Sequence, residues 1–358
     1  MLGEKVLRAI GLADPGPAAR QEGQVSVPAS RFPLLLRRNI LGAAAVLAPF
    51  AAGAAISLPE VRLGVLAFGT VQWVASVMRS RGLDRAHGFT LSIQALANND
   101  GAKVALLGGA VDIIVSDWLF VGAERAQGLG LRFAPFSSAT GAIVLGRGSD
   151  VRSLKDLAHR RLGVAGGPDD KSWLIVRAAA QRLDGIDLAR AANIVYAAPP
   201  LLSAKLAQGG LDAVLTYWNF AAALEVEGFH PLVTVSACAQ ALGLPAHPPL
   251  LGYVFKDVWA ETNGSLVGSF LAASAASEDL LLRSDSAWDG IRPLMHAPNE
   301  RLFVALKRGF RAGIVHESPA AAAAAADRLF AILHGLGGTA ATGGLRALPD
   351  GVFWTAPS

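Results

Sequence analysis

Two stretches decide the fold: "VDIIVSDWLF" (Val111–Phe120) and "LDAVLTYWNF" (Leu211–Phe220). They lie one hundred residues apart and align without a gap. Each runs Asp, three apolar residues, a hydroxyl residue, a polar residue and Trp. A short continuous apolar run with polar ends is what a strand buried on both faces of a parallel sheet needs. The chain therefore reads as building one buried strand, and its exit turn, twice.

Working outward, "VRLGVLAF" and "FTLSIQAL" precede the first stretch as strands, separated by a helix near Val71–Arg81 and followed by one over Asp100–Leu107. "RRLGVAGG" and "ANIVYAA" precede the second, with helices from Lys171 and over Leu201–Gln208. The order β-α-β-α-β, repeated, predicts an α/β protein with mostly parallel sheets and right-handed crossovers. Tryptophan spacing supports equivalence of the two units: Trp73 and Trp118 are 45 residues apart, as are Trp173 and Trp218. "LRFAPFSSATGAIVLG" leaves the first unit and "FHPLVTVSACAQ" the second. A strand, "LLGYVF", then precedes helices over Gly264–Leu282, Asn299–Arg311 and Ser318–Leu336, with Ser318 and Pro319 placed as N-cap and first helical residue. The Gly-rich tail after Gly337 is expected to fray.

Composition limits the function. The 358 residues are 52% hydrophobic and 17% charged, enough apolar surface for a large core. The net charge is +4, but residues 1–56 carry six cations against three acids, which leaves the remainder at +1. That body has no electrostatic footprint for nucleic acid. One cysteine, Cys238, excludes an internal disulfide and a multi-cysteine metal site, and reads as a small buried hydrophobe. Arg37-Arg38 before the apolar run Ile40–Ala55, with a small-residue site at Ala52-Gly53-Ala54, reads as an export signal. The arginine pair resembles a twin-arginine signal, although Leu36 stands where Ser or Thr is usual; a general secretory signal or an uncleaved anchor is the alternative. No other segment is expected to reach membrane-span length.

Catalytic motifs are missing: no Gly-x-Ser-x-Gly elbow, no Walker loop, and seven histidines (His87, His159, His230, His247, His296, His316, His334) without ligand spacing. No metal or other cofactor is expected. The polar residues instead gather at the carboxyl ends of the predicted strands, where open α/β sheets bind ligands. These are Phe68, Gly69 and Thr70; Asn98, Asn99 and Asp100; Ser116, Asp117 and Trp118; Gly167, Lys171, Ser172 and Trp173; Pro199; and Tyr217, Trp218 and Asn219. Trp73 completes the set at the first helix. Tryptophans at four matched turns are expected to form flat walls, and Trp118→Ala is expected to weaken ligand binding without unfolding the chain. Asp170 reads as a helix N-cap. The candidate cleft offers Asp100, Asp117, Asp169 and Asp170 against Lys171, which favours a neutral or cationic organic ligand with Asp117 as acceptor. The differences between the two repeats, Asp117 against Tyr217 and Leu119 against Asn219, are where ligand choice is expected.

"AIVLGRGSDVRSLKDLAHRRLGVAGGP" (142–168) and "KVALLGGAVDIIVSDW" (103–118) resemble ABC-transporter substrate-binding proteins of the nitrate/sulfonate/taurine type, with the NMT1/THI5-like domain. The resemblance covers roughly residues 60–315. It implies a type II periplasmic-binding-protein fold with a two-segment hinge: lobe one from 57–138 plus 246–337, lobe two from 139–245, and a tail at 338–358. It further implies a monomeric, non-enzymatic periplasmic protein that closes on a small molecule and delivers it to an inner-membrane permease. A cofactor-dependent, pyrimidine-synthase-like enzyme, whose relatives carry a Cys-rich motif this chain lacks, and a ligand-presenting sensor are the alternatives on the same scaffold.

Overall fold

The computed structural model describes residues 57–245 and 248–355; the export-signal reading and His247 fall outside them. Four parallel strands carry the first half: β1 (Glu60–Leu66), β2 (Thr90–Leu96), β3 (Ile113–Asp117) and β4 (Leu131–Ser137). Helices α1 (Val71–Ser80), α2 (Asn99–Leu107) and α3 (Trp118–Ala126) connect them in turn. The second half repeats the plan. After β5 (Ala142–Leu145) come β6 (Arg161–Ala165), α4 (Lys171–Asp184), β7 (Asn193–Ala197), α5 (Pro199–Ala207), β8 (Ala213–Thr216), α6 (Trp218–Val226), β9 (His230–Thr234) and α7 (Val235–Ala241). β10 (Leu251–Lys256) returns to the first sheet, and α8 (Gly264–Arg283), α9 (Glu300–Ala312) and α10 (Pro319–Ala341) follow.

The sheet orders are β2-β1-β3-β10-β4 and β7-β6-β8-β5-β9. One antiparallel strand sits fourth in each, β10 in the first and β5 in the second. Each reversed strand is the one that arrives from the other half, so the chain crosses twice between identical topologies. The fold class is as the sequence implied. What the β-α-β-α-β pattern did not show was the reversed strand inserted into each sheet.

The repeated Asp that opens each quoted stretch now has a reason. Asp112 accepts from the Arg62 backbone N–H (2.8 Å) and from its guanidinium through both carboxylate oxygens. Asp212 does the same to Arg161, at 2.8 Å from the backbone N and 3.1 and 2.7 Å from Nε and Nη2. Each is a fork-to-fork clamp that ties the starts of two neighbouring parallel strands, β1 to β3 and β6 to β8. The Arg161 guanidinium holds the Asp212 carboxyl below the usual carboxylate range.

Three predictions change in the structure. Val352–Trp354, inside the tail expected to fray, run along β4: Phe133 N–H donates to the Val352 carbonyl and Trp354 N–H to the Phe133 carbonyl, both at 2.8 Å. Arg132 further donates to the Gly351 carbonyl at 2.8 Å. Helix α8 is long and apolar enough to cross a membrane, contrary to the sequence reading. It is instead a core helix, burying Leu266, Val267, Phe270, Ala273 and Leu281. Three of the tryptophans also face the core, as described below. The Ser318 cap is as expected, accepting from Ala321 N–H at 3.3 Å, and Cys238 is buried, which pushes its thiol up to about 11.

Candidate functional site: a cavity at the carboxyl ends of both sheets

A parallel strand followed by a helix leaves its polar turn at the carboxyl edge of the sheet. Because both halves share one topology, the turns after β1, β3, β6 and β8 all deliver short polar segments to one place. They line a cavity of about 510 Å³. This is the size of pocket that encloses a small organic molecule.

Thirteen of the predicted residues line it: Phe68, Gly69, Thr70, Asn99, Asp100, Ser116, Asp117, Gly167, Lys171, Ser172, Tyr217, Trp218 and Asn219. The positions where the two repeats differ, Asp117, Leu119, Tyr217 and Asn219, are all in the lining. Five predicted residues are elsewhere. Asn98 is exposed and caps α2, accepting from Gly101 N–H at 2.8 Å. Pro199 is buried as the first residue of α5.

Trp73, Trp118 and Trp173 do not line the cavity; they are core residues, 3%, 0% and 0% exposed. The reason is helical phase. In the first turns of these helices Val71, Leu119, Phe120, Lys171 and Ser172 line the cavity, while Trp73, Trp118 and Trp173 turn into the core. Trp118 shares its buried face with Val121, and Trp173 shares its own with Val176 and Ala180. Trp73 packs edge-on against Trp288 and Trp218, at 6.0 and 5.9 Å between ring centroids. Trp218 alone of the four matched tryptophans reaches the cavity.

Two groups stand out among the lining residues that sequence reasoning missed. Lys103 lies one helical turn beyond Asn99 and Asp100, on the same face of α2, with its ammonium 4.7 Å from the Phe120 ring centroid. The i, i+3, i+4 pattern could have found it. Ser137, Ala139, Thr140 and Gly141 come from the crossing between β4 and β5. That segment's small polar composition was visible, but its place beside the cavity depends on the second sheet.

Polar contacts join residues of the two halves across the cavity. Lys171 Nζ lies 3.1 Å from Asp117 Oδ1, which also accepts from Phe120 N–H at 2.8 Å. Asn99 donates to the Tyr217 hydroxyl at 3.3 Å, and Asn219 to the Phe68 carbonyl at 3.5 Å. Asp170 caps α4 as expected: Oδ1 accepts from Ser172 and Trp173 N–H at 2.9 and 3.3 Å. Burial pushes its carboxyl up to about 6; Lys171 and the Trp173 N–H pull it down, and Asp117 pushes it up. Tyr217 is raised above the usual phenol range, first by burial and then by Asp170.

Charge favours neither sign overwhelmingly, and magnitudes decide. Four carboxylates and two ammonium groups line the cavity, a formal balance of minus two. Helices α1 and α6 start there without a side-chain cap. Each uncapped start is worth roughly half a positive charge. The field remains net negative, by about one charge.

The fold is that of type II periplasmic binding proteins. The chain resembles the alkanesulfonate-binding protein SsuA from Xanthomonas axonopodis pv. citri bound to MOPS, with TM-score 0.63 and 17% identity over 84% of this chain and 99% of that one. It also resembles the periplasmic aliphatic sulphonate binding protein SsuA from Escherichia coli, with TM-score 0.56 and 19% identity over 71% and 84%. A third likeness is to the periplasmic nitrate-binding protein NrtA from Synechocystis PCC 6803, with TM-score 0.54 and 13% identity over 70% and 69%. No curated protein matches the chain in sequence. The chain belongs to the NMT1/THI5-like family, whose model matches residues 77–284.

Proposed function

We propose that this chain is the solute-binding component of an ABC importer. It is a binding protein, not an enzyme, exported to the periplasm by the segment within residues 1–56. The observation that carries this reading is the cavity itself: turns from both sheets converge on one cleft, so a molecule held there touches both halves. The two sheets act as lobes, 57–138 with 246–337 and 139–245, and the two chain crossings act as the hinge. A ligand that contacts both lobes favours the closed arrangement by the contacts it makes only there. The permease then receives the closed, loaded form. The related structures named for sulfonate and nitrate ligands support small-molecule capture in this fold. Among the described residues, the cavity lining includes no histidine or cysteine, which supports binding over cysteine or histidine chemistry.

The ligand is a small neutral or cationic organic molecule. The net negative lining supports this over a sulfonate, because a buried anion beside unpaired carboxylates is costly. The test is native mass spectrometry of the full-length gene product recovered from the periplasm. The expected spectrum shows a 1:1 mass excess of a few hundred daltons that disappears on denaturation. Recovery only from the cytoplasm, or a protein that never carries a small molecule in periplasmic extracts, contradicts the reading.

A further inference from the structure

Asp170 does more than cap a helix. Its Oδ1 holds two backbone N–H groups, as an N-cap should. Its Oδ2 receives no hydrogen bond from the described residues, and the side chain lines the cavity. The acid next to it is differently placed: Asp117 is already committed to the Lys171 ammonium and to the Phe120 N–H. Of these two carboxylates, Asp117 is paired with a lysine of the protein, whereas Asp170 keeps a free oxygen; Asp169 also lines the cavity here.

The surroundings of that oxygen are specific. Gly166 adopts φ 86°, and a Cβ placed on it would lie 2.4 Å from Asp170 Oδ2 and 3.0 Å from the Tyr217 hydroxyl. The carboxylate and the phenol therefore converge on one point above a residue that has to be glycine. The phenol accepts from Asn99 on the opposite half, so its position is set by both sheets.

We propose that Asp170 Oδ2 and the Tyr217 hydroxyl form the docking point for a protonated nitrogen of the ligand, an amine or amidine, and that Asp170 sets the preference for cations. This rests on the solute-binding reading and assigns its ligand class. The Lys171 ammonium is taken up by Asp117, so it does not neutralise Asp170, and a ligand cation at Asp170 Oδ2 offsets part of the lining's net negative charge. A charge-assisted N–H···O bond to a carboxylate in a sheltered site is among the stronger polar contacts available.

Binding is then linked to protonation. The groups facing Asp170 are Asp117, Lys171, Asp169 and Tyr217; Asp100 and Lys103 line the cavity from α2. Asp170 changes charge near pH 6, so cation affinity weakens as pH falls from 7.5 to 5. Fold stability does not isolate this group. Glu278, outside the main cavity, is also raised, to about 7, mainly by burial. Both acids favour the fold when protonated, and that contribution is lost as pH rises, between about 4 and 6 for Asp170 and about 4.5 and 7 for Glu278. Affinity, not melting, therefore reads Asp170.

The experiment uses the full chain and its Asp170→Asn variant with three flat probes of one size: benzamidine, benzamide and benzenesulfonate. Asn serves as well as Asp at an N-cap, so the variant retains the fold, checked by circular dichroism and by melting without probe. Calorimetry at pH 7.5 is expected to rank benzamidine first. D170N weakens benzamidine about tenfold or more and leaves benzamide within about twofold. Moving from pH 7.5 to 5 weakens benzamidine for the wild type and not for D170N. Benzamidine affinity unchanged in D170N overturns the assignment. So does preferred binding of benzenesulfonate, which leaves solute binding itself standing. Failure of all three probes overturns the cation assignment too; the solute-binding reading falls only if the native spectrum also shows no solute.

Discussion

Trp118→Ala and Trp173→Ala will each destabilise the fold by about 3–5 kcal/mol, the cost of emptying a fully buried aromatic site. Both rings are 0% exposed and belong to the same continuous core. Neither lines the cavity, so a variant that remains folded will keep its ligand affinity. Chemical denaturation, with a ligand titration on the folded fraction, separates the two effects. This reverses the sequence expectation that Trp118→Ala would weaken binding and spare the fold. Lost affinity with unchanged stability would restore it.

Gly141→Ala has the second large effect, for a backbone reason. A Cβ at position 141 would lie 1.8 Å from the Thr216 carbonyl oxygen and 2.8 Å from its carbon. No rotamer relieves that overlap, because both sides are main chain. Relief requires β5 to move off β8, with which it pairs from Ala142↔Thr216 to Leu145↔Ala213. The expected loss is about 4 kcal/mol or more, in the range that marks a specific structural defect. Gly141 and Tyr217 both line the cavity, so affinity falls as well. A denaturation midpoint within error of wild type would show that the crossing lies less tightly on β8 than described.

The sequence was legible where local period and tertiary role agree. The apolar runs of "VDIIVS" and "LDAVLT", the glycine turn at Gly166-Gly167 and the Asp170 and Ser318 caps are local features, and each falls where its pattern placed it. The polar turn residues reached the cavity because topology sends every strand–helix turn of a parallel sheet to one edge. Three of the four matched tryptophans failed as ligand walls because a matched turn position does not fix side-chain direction. Each residue along a helix turns by about 100°, so Trp73 and Trp173, third in their helices, and Trp118, first in its own, face the core while Trp218 lines the cavity. The reversed strands β5 and β10, the pinned tail and the crossing residues Ser137–Gly141 depend on contacts between distant segments. No local pattern encodes those contacts. Asp170 was assigned half its role: the cap is a sequence signal, but the free Oδ2 beside Tyr217 exists only once β6 and β8 pair in the second sheet.

In the proposed function, one small molecule is held by both halves at once. Hydrogen exchange of the protein with its bound solute, compared with the same protein stripped of it, tests this directly. Slowed exchange is expected in residues 68–71, 99–103 and 117–120 of the first half together with 166–173 and 217–220 of the second. Protection confined to one half, or lying on a surface away from these turns, would contradict it.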